Sequence, residues 1–300
     1  MSESADVPEL SVVIVAYNER HSIERCLASL KRQQTSRSFE VILIDSSTDG
    51  TNAIALRFPF VRIQHFAERK YVGEARNAGV ALARGDIIAF LDADCFVEND
   101  WIETVARAHQ SPYLAVGSAI FNGTPESLVS WAYYFCEFNL WLPQSETKEV
   151  VEMAGCGLSI KRLAFEKYGP FIEGTYCSDT VFHWRMARDG HKVLFIPSIH
   201  VVHTMRDRLG GFLRHVLEHR RAFASVAASE KTFSMRKRFA AAMGTVFLPF
   251  LLVPVIAWRV VRAEHLLRHF LPALPIVLLG LLARAWGEFL GFATPKGLTN

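Results

Sequence analysis

Two aspartates, Asp92 and Asp94, stand directly after the apolar run 87–91 (IIAFL). Carboxylates two residues apart near a chain bend can both reach one hard cation. Mg2+ and Mn2+ prefer such oxygen ligands and often share them with phosphate oxygens. A lone Asp-x-Asp is common in solvated loops, but here Asp86, Asp92 and Asp94 bracket one apolar strand, which a solvated loop does not account for. His203, in His200-Val-Val-His203, is either a hydrogen-bonded core or surface residue or a third ligand, because neutral imidazole suits such a metal. Strand alternation puts His200 and His203 on opposite faces, so one of them can face the site. Asp179, in Cys177-Ser-Asp-Thr, precedes an amphipathic segment containing Phe182, Arg185 and Met186. It either caps a helix N-terminus or complements its dipole, or it acts as a general base within reach of an acceptor hydroxyl.

The elements that must position these groups alternate. Leu10–Ala16 (LSVVIVA) is a β-branched run of the kind buried on both faces of a sheet. A helical pattern follows over 21–31, then a second buried strand over 39–44 ending at Asp45. A second helix over 51–57, a weaker strand over Val61–His65, a helix over 73–83 and a strand over 86–91 complete the series. Alternation with short links predicts βαβ units and a parallel sheet. Tyr17, Asn18, Asp45, Asp92 and Asp94 all follow strand C-termini, the edge where open α/β sheets bind ligands. Beyond Trp101 the pattern loosens. The aromatics of 131–141 (Trp131, Tyr133, Tyr134, Phe135, Phe138, Trp141) read either as a packed core helix or as an acceptor wall. Pro197 separates two short strand candidates, 193–196 and 199–202.

Composition excludes several classes. Half of the 300 residues are hydrophobic and 21% are charged, so the chain is not disordered. Five scattered cysteines form no Cys-x-x-Cys pair, which predicts buried free thiols in a reducing compartment rather than a disulfide framework or a structural zinc site. The first nine residues lack a basic n-region, so the body is expected in the cytoplasm. There is no Gly-x-Gly-x-x-Gly after the first strand, no P-loop and no Gly-x-Ser-x-Gly elbow. The missing glycine fingerprint counts against a nicotinamide oxidoreductase. Charge is unevenly spread: 19 Lys/Arg against 25 Asp/Glu over 1–205, 9 against 3 over 206–238, and 5 against 2 over 239–300. Nucleic acid is not an expected partner, because the body is acidic and the basic belt adjoins an apolar tail.

In order along the chain, 11–19 (SVVIVAYNE), 45–51 (DSSTDGT), 73–79 (GEARNAG), 85–94 (GDIIAFLDAD), 155–160 (GCGLSI), Ser178-Asp179 and His203 resemble the motifs of family 2 glycosyltransferases of the GT-A fold. The resemblance implies an α/β, mostly parallel GT-A-type sheet flanked by helices, and an inverting transfer from a nucleotide-diphosphate sugar aided by a divalent metal, Mn2+ or Mg2+. It implies that Ala16, Tyr17, Glu19 and Asp45 hold the nucleoside and that Arg76 lies near the nucleotide. Asp92 would engage the ribose side, Asp94 and His203 the metal and diphosphate, and Asp179 would be the base. Two positions depart from the family pattern: Ser46 replaces the second acid of an Asp-Asp pair, and Ser178 replaces the Glu before the base. The Gln-x-x-Arg-Trp motif of processive synthases is absent, and His219-Arg220-Arg221 occupies that region, which implies one sugar per encounter.

The tail begins with an amphipathic pattern, Leu209, Phe212, Leu213, Val216 and Leu217, read either as core-packed or as interfacial. Residues 239–258 carry no charge and are long enough to span a bilayer core. Residues 270–283 are apolar but interrupted by Pro272 and Pro275. Basic residues flank the first segment on both sides, so a spanning hairpin and a re-entrant pair remain alternatives. The expected organisation is a catalytic domain over 1–205, a basic amphipathic segment over 206–238 and membrane-associated helices over 239–300. The expected setting is the cell membrane with the catalytic domain facing the cytoplasm and a lipid-linked or glycan acceptor. A non-catalytic membrane protein retaining a nucleotide-sugar-binding fold is the alternative.

Overall fold

Leu10, Val12, Val13 and Ile14 are all fully buried, and a strand buried on both faces must lie inside a sheet covered by helices. The computed structural model describes residues 7–143 and 145–294. In chain order it contains β1 (Leu10–Ala16), α1 (Ile23–Lys31), β2 (Phe39–Asp45), α2 (Thr51–Ala55), β3 (Val61–His65), α3 (Val72–Leu82), β4 (Ile87–Asp92), β5 (Cys95–Val97), α4 (Trp101–Ala108), β6 (Ala115–Asn122), α5 (Leu128–Glu137), β7 (Lys148–Val150), β8 (Leu158–Lys161), α6 (Arg162–Tyr168), α7 (Ser178–Arg188) and β9 (Val193–His203). Then follow α8 (Leu209–Glu230), α9 (Met235–Gly244), α10 (Leu248–Arg262) and α11 (Leu267–Ala293).

The strands form one mixed sheet in the order β3-β2-β1-β4-β8-β6-β9-β5, with β7 also paired to β9. The parallel pairing expected from the βαβ series holds from β3 to β4. Beyond β4 the resolved pairings β4–β8, β8–β6, β5–β9 and β7–β9 are antiparallel. Register aligns Ala16 with Asp45 and Val15 with Asp92, so the C-terminal ends of β2 and β4 flank that of β1. Cys95 pairs with His203, which brings the last residue of β9 next to the turn after β4. The two strands expected around Pro197 are one. β7 pairs with β9 up to Phe195 and β5 from Val201, so Pro197 lies in the stretch that neither short strand covers. Proline is confined in sheets to such gaps and edges, because it has no N–H for a ladder bond.

The chain folds as two units. One contains the described residues up to Phe121 together with Glu146–Glu173 and Ser178–His203, and carries the sheet. The other is helical and contains the described residues of Asn122–Ser145, Gly174–Cys177 and the chain from Thr204. In the helical unit the aromatic run is core: Trp131, Tyr133, Tyr134, Phe135 and Phe138 of α5 and its C-cap are buried. Phe135 meets Phe270 of α11 edge-on at 5.1 Å, and Tyr133 meets Phe212 of α8 at 5.7 Å. The core-packed alternative therefore describes α8, whose Phe212, Val216 and Ala224 are fully buried.

α11 runs for 27 residues through both Pro272 and Pro275, so neither proline interrupts the apolar segment as expected from sequence. Each proline forfeits one backbone hydrogen bond, a loss of about 3 kcal/mol in an isolated helix. Packing holds α11 together instead: Phe270, Ala273, Val277, Gly280 and Leu281 on one side are buried. Small residues let α8 and α11 approach. A Cβ on Gly287 would lie 2.4 Å from the Leu217 carbonyl oxygen, and one on Gly291 would lie 2.3 Å from that of Arg221. Those obstacles are backbone and cannot rotate away. Gly287→Leu should therefore destabilise the helical unit by about 1–3 kcal/mol, as overpacking of a closed interface does. Gly210→Ala, where nothing lies within 4 Å, is the neutral control. Thermal unfolding of both variants in detergent checks the difference.

Two helical stretches, Met235–Arg262 and Leu267–Ala293, are long and apolar enough to cross a membrane. Only 22% and 39% of their most apolar windows are buried within the protein. Phe239, Phe247, Phe250, Leu251, Trp258, Leu282 and Trp286 all present more than half of their surface outward. Exposed apolar surface on that scale marks a membrane or partner contact.

Candidate active site

The aligned ends of β1, β2 and β3 bring polar groups together. Asp45 is fully buried and is the last residue of β2, in the final pair of the β2–β3 register. One of its carboxylate oxygens accepts the Ser47 N–H at 3.2 Å, and the other lies 2.6 Å from His65 Nδ1. His65 ends β3 directly opposite Asp45, so the parallel register itself makes this contact. The Ala16 carbonyl accepts the Ser46 N–H. Ser46, where the family pattern has a second acid, instead accepts the Lys70 N–H with its hydroxyl at 3.1 Å. Asn18 has φ of 60°, a left-handed conformation that asparagine tolerates. This turn lets its N–H donate to Ser47 Oγ at 2.7 Å while its side-chain oxygen accepts the Thr48 N–H. The Glu19 N–H donates to Thr51 Oγ1, and the Glu19 carboxylate accepts the Ser22 hydroxyl. Tyr17 is 39% exposed, and the Arg69 guanidinium covers its ring at 4.3 Å. Ala16, Tyr17, Glu19 and Asp45 thus line one edge, joined by the 45–51 loop.

Arg76 links that edge to two further carboxylates. It projects from α3, is almost fully buried, and lies 5.7 Å from the Phe90 ring centroid. Its Nη2 donates to Asp92 Oδ1 at 3.1 Å, and its Nη1 is 3.9 Å from Asp179 Oδ2. Asp179 lies in the first turn of α7. Its Oδ2 accepts the Gly155 N–H at 2.8 Å, and its Oδ1 accepts the neighbouring Thr180 N–H. The carboxylate is therefore oriented by a segment 24 residues away as well as by its own helix. Desolvation raises the Asp92 carboxyl above its usual range; Arg76 opposes this and the Asp94 charge reinforces it.

Asp94 and His203 complete the cluster. His203 Nε2 is 3.6 Å from Asp94 Oδ1, and the Asp92, Asp94 and His203 ligand atoms all lie within 4.8 Å of one another. His200 is on the other face, against Phe121 and Glu98, as alternation required. Asp92, Asp94, Arg76, Asp179 and His203 are thereby brought together. Two participants were not singled out from sequence: His65, which holds Asp45, and the Gly155 N–H, which holds Asp179. The GCGLSI stretch contains Gly155, but nothing local reveals whose carboxylate its amide meets.

Gly155 is also a steric requirement. A Cβ there would lie 2.1–2.3 Å from the Arg76 guanidinium atoms. Arg76 is buried and held by charge-assisted bonding to Asp92, so it has no free direction to yield. Gly155→Ala should lower stability by roughly 1–3 kcal/mol and reduce catalytic efficiency in parallel. Gly157→Ala, whose nearest obstacle is the flexible Met153 Cε at 3.1 Å, should be milder. Thermal unfolding and kcat/KM of the two variants, compared side by side, check this.

The family model for Glycosyl transferase family 2 matches residues 11–169. The chain belongs to that family. It is a glycosyltransferase. The matched span contains every strand-end residue from Ala16 to Asp94 and stops before Asp179 and His203. The transferase is 28% identical over 212 residues to glycosyltransferase AglE of Haloferax volcanii, covering 68% of this chain and 69% of that one. It is 36% identical over 117 residues to validoxylamine A glucosyltransferase of Streptomyces hygroscopicus subsp. jinggangensis, covering 36% of this chain and 27% of that enzyme. Among solved structures, mannosyltransferase PcManGT from Pyrobaculum calidifontis in complex with GDP-Man and Mn2+ aligns with a TM-score of 0.63 at 20% identity, covering 94% of this chain and 87% of that one. That likeness shows that this family 2 transferase shares the fold of PcManGT.

Proposed function

We propose that the enzyme transfers one sugar per encounter, with inversion, from a nucleotide-diphosphate sugar to a lipid-linked or glycan acceptor at the cytoplasmic face of a membrane. The observation that carries this reading is the Asp92–Arg76–Asp179 bridge at the C-terminal edge of the parallel strands, beside Asp94 and His203. Ala16, Tyr17, Glu19 and Asp45 receive the nucleoside, with the Tyr17 ring offering a stacking face. Asp92 takes the ribose side, and Arg76 holds Asp92 in place. Asp94 and His203, with Asp92 near, would hold a divalent cation. Their donor set of carboxylate oxygens and one imidazole fits Mn2+ or Mg2+, and two carboxylates this close gain from a shared positive charge. When bound, that cation supplies charge neutralisation for the departing diphosphate. Asp179, aimed by the Gly155 N–H, takes the proton from an acceptor hydroxyl as its oxygen attacks the anomeric carbon from the side opposite the leaving group.

The outward-facing apolar surface of α9, α10 and α11 supports a membrane setting. The full-length protein should stay with membranes through high salt and alkali and leave only with detergent, because salt screens charge and not apolar burial. A fully soluble chain would defeat the membrane part of the reading. The donor part is tested by incubating the detergent-solubilised protein with a panel of nucleotide sugars, GDP-mannose among them, and Mn2+ or Mg2+. Released nucleotide should appear for one donor and increase with an acceptor. No release from any donor would overturn the reading.

A further inference from the structure

The cluster around His203 has a second, chemically different side. Cys95 is His203's direct partner across the β5–β9 pair, and Cys156 sits in the short turn Gly155–Gly157. One ligand atom each from Cys95, Cys156 and His203 lie within 4.8 Å of one another. Asp94 Oδ1 is 3.6 Å from Cys95 Sγ and 3.6 Å from His203 Nε2. Ligands about 2.0–2.3 Å from a tetrahedral ion stand roughly 3.6 Å apart, and Asp94 Oδ1 already has that spacing to both Cys95 and His203. Thiolate and imidazole together select a zinc-class cation over Mg2+ or Mn2+.

We infer that Cys95, Cys156 and His203, with Asp94 as fourth ligand, form a binding site for a thiophilic divalent cation such as Zn2+. Binding replaces two S–H bonds by two metal–sulfur bonds, and both protons leave to solvent. The cysteines and His203 are buried, whereas the Asp92 and Asp94 side chains are 30% and 25% exposed, so the ion enters past the carboxylates. His203 and Asp94 belong to both ligand sets. A zinc-class ion on the sulfur side therefore removes two ligands from the Asp92–Asp94–His203 set, and Zn2+ inhibits the enzyme in competition with Mn2+. This inhibition rests on the function proposed above; the binding site itself does not.

The test uses the full-length protein in detergent, reduced and stripped of metal. Titration with Co2+ should develop a thiolate-to-cobalt charge-transfer absorption that saturates at one equivalent and is abolished by added Zn2+. Cys95→Ser and Cys156→Ser, made singly and checked for unchanged thermal unfolding, should each lose most of the absorption. Where turnover is measurable with Mn2+, each should need at least about tenfold more Zn2+ for half-inhibition. Absence of the absorption in the wild-type protein, or its persistence in both variants, would overturn the site. Zn2+ sensitivity unchanged in both variants would overturn the competition. A cobalt–thiolate band in a protein that turns over no nucleotide sugar would leave the site standing and remove the proposed function instead.

Discussion

Asp94→Asn should reduce sugar transfer by about 10³-fold or more while leaving the fold intact. The substitution keeps the shape and removes one of the two carboxylate charges that stand within 4.8 Å of each other and of His203. Loss of an electrostatic stabiliser aimed at a charge that develops in the transition state typically costs about 10²–10³ in rate. Weakened retention of a cation adds to that. The Asp94 side chain is a quarter exposed, so the amide has water to bind and little stability is at stake. The matching experiment on the unaltered protein is metal removal: nucleotide release should fall to background in excess chelator and return with Mn2+ or Mg2+. Full activity in excess chelator would refute the assignment of Asp94 and His203.

Asp179→Asn tests the other end of the Arg76 bridge. General-base loss costs about 10²–10⁴ in rate. Oδ1 of the asparagine can still accept the Thr180 N–H, but an amide nitrogen facing the Gly155 N–H is a poor replacement for Oδ2. Rotation of the amide keeps one of the two contacts, so the helix should survive. The donor Kd should change little, because Asp179 is not assigned to the donor. Turnover and donor binding lost in parallel would make Asp179 a donor ligand. A small effect on turnover would instead identify an acceptor that arrives already anionic, such as a lipid phosphate, for which no proton has to be removed.

The strand-end groups were legible because local sequence suffices for them. β1, β2 and β4 are short β-branched or apolar runs, and a polar residue right after such a run can only sit at the sheet edge. The alternation that placed His200 and His203 apart is equally local. What resisted reading is non-local. Asp45 meets His65 because β2 and β3 pair in one particular register. Asp179 is held by an amide 24 residues earlier, and Cys95 and Cys156 meet only because β5 and the turn before β8 flank the same strand ends. Prolines misled twice in the same way. At Pro197 and in α11 the local rule is real, but strand partners on either side, or a buried helix face, outweigh the loss of one N–H. The aromatics of α5 fitted a packed core and an acceptor wall, and their packing against Phe212 and Phe270 decides for core.

The contact between Gly155 and Arg76 carries a consequence for how such a chain can vary. Position 155 is closed to every side chain while a guanidinium occupies position 76, and the guanidinium is confined there by the carboxylate beneath it. The two positions are therefore epistatic. Drift at 155 becomes permissible only after position 76 has shortened, and shortening 76 unpairs Asp92 before any benefit at 155 can be felt. A chain that keeps the Arg76–Asp92 pair should therefore keep glycine at 155, whereas one that has lost Arg76 is released from that constraint. In a double-mutant cycle, Gly155→Ala made on Arg76→Ala should cost far less than Gly155→Ala alone.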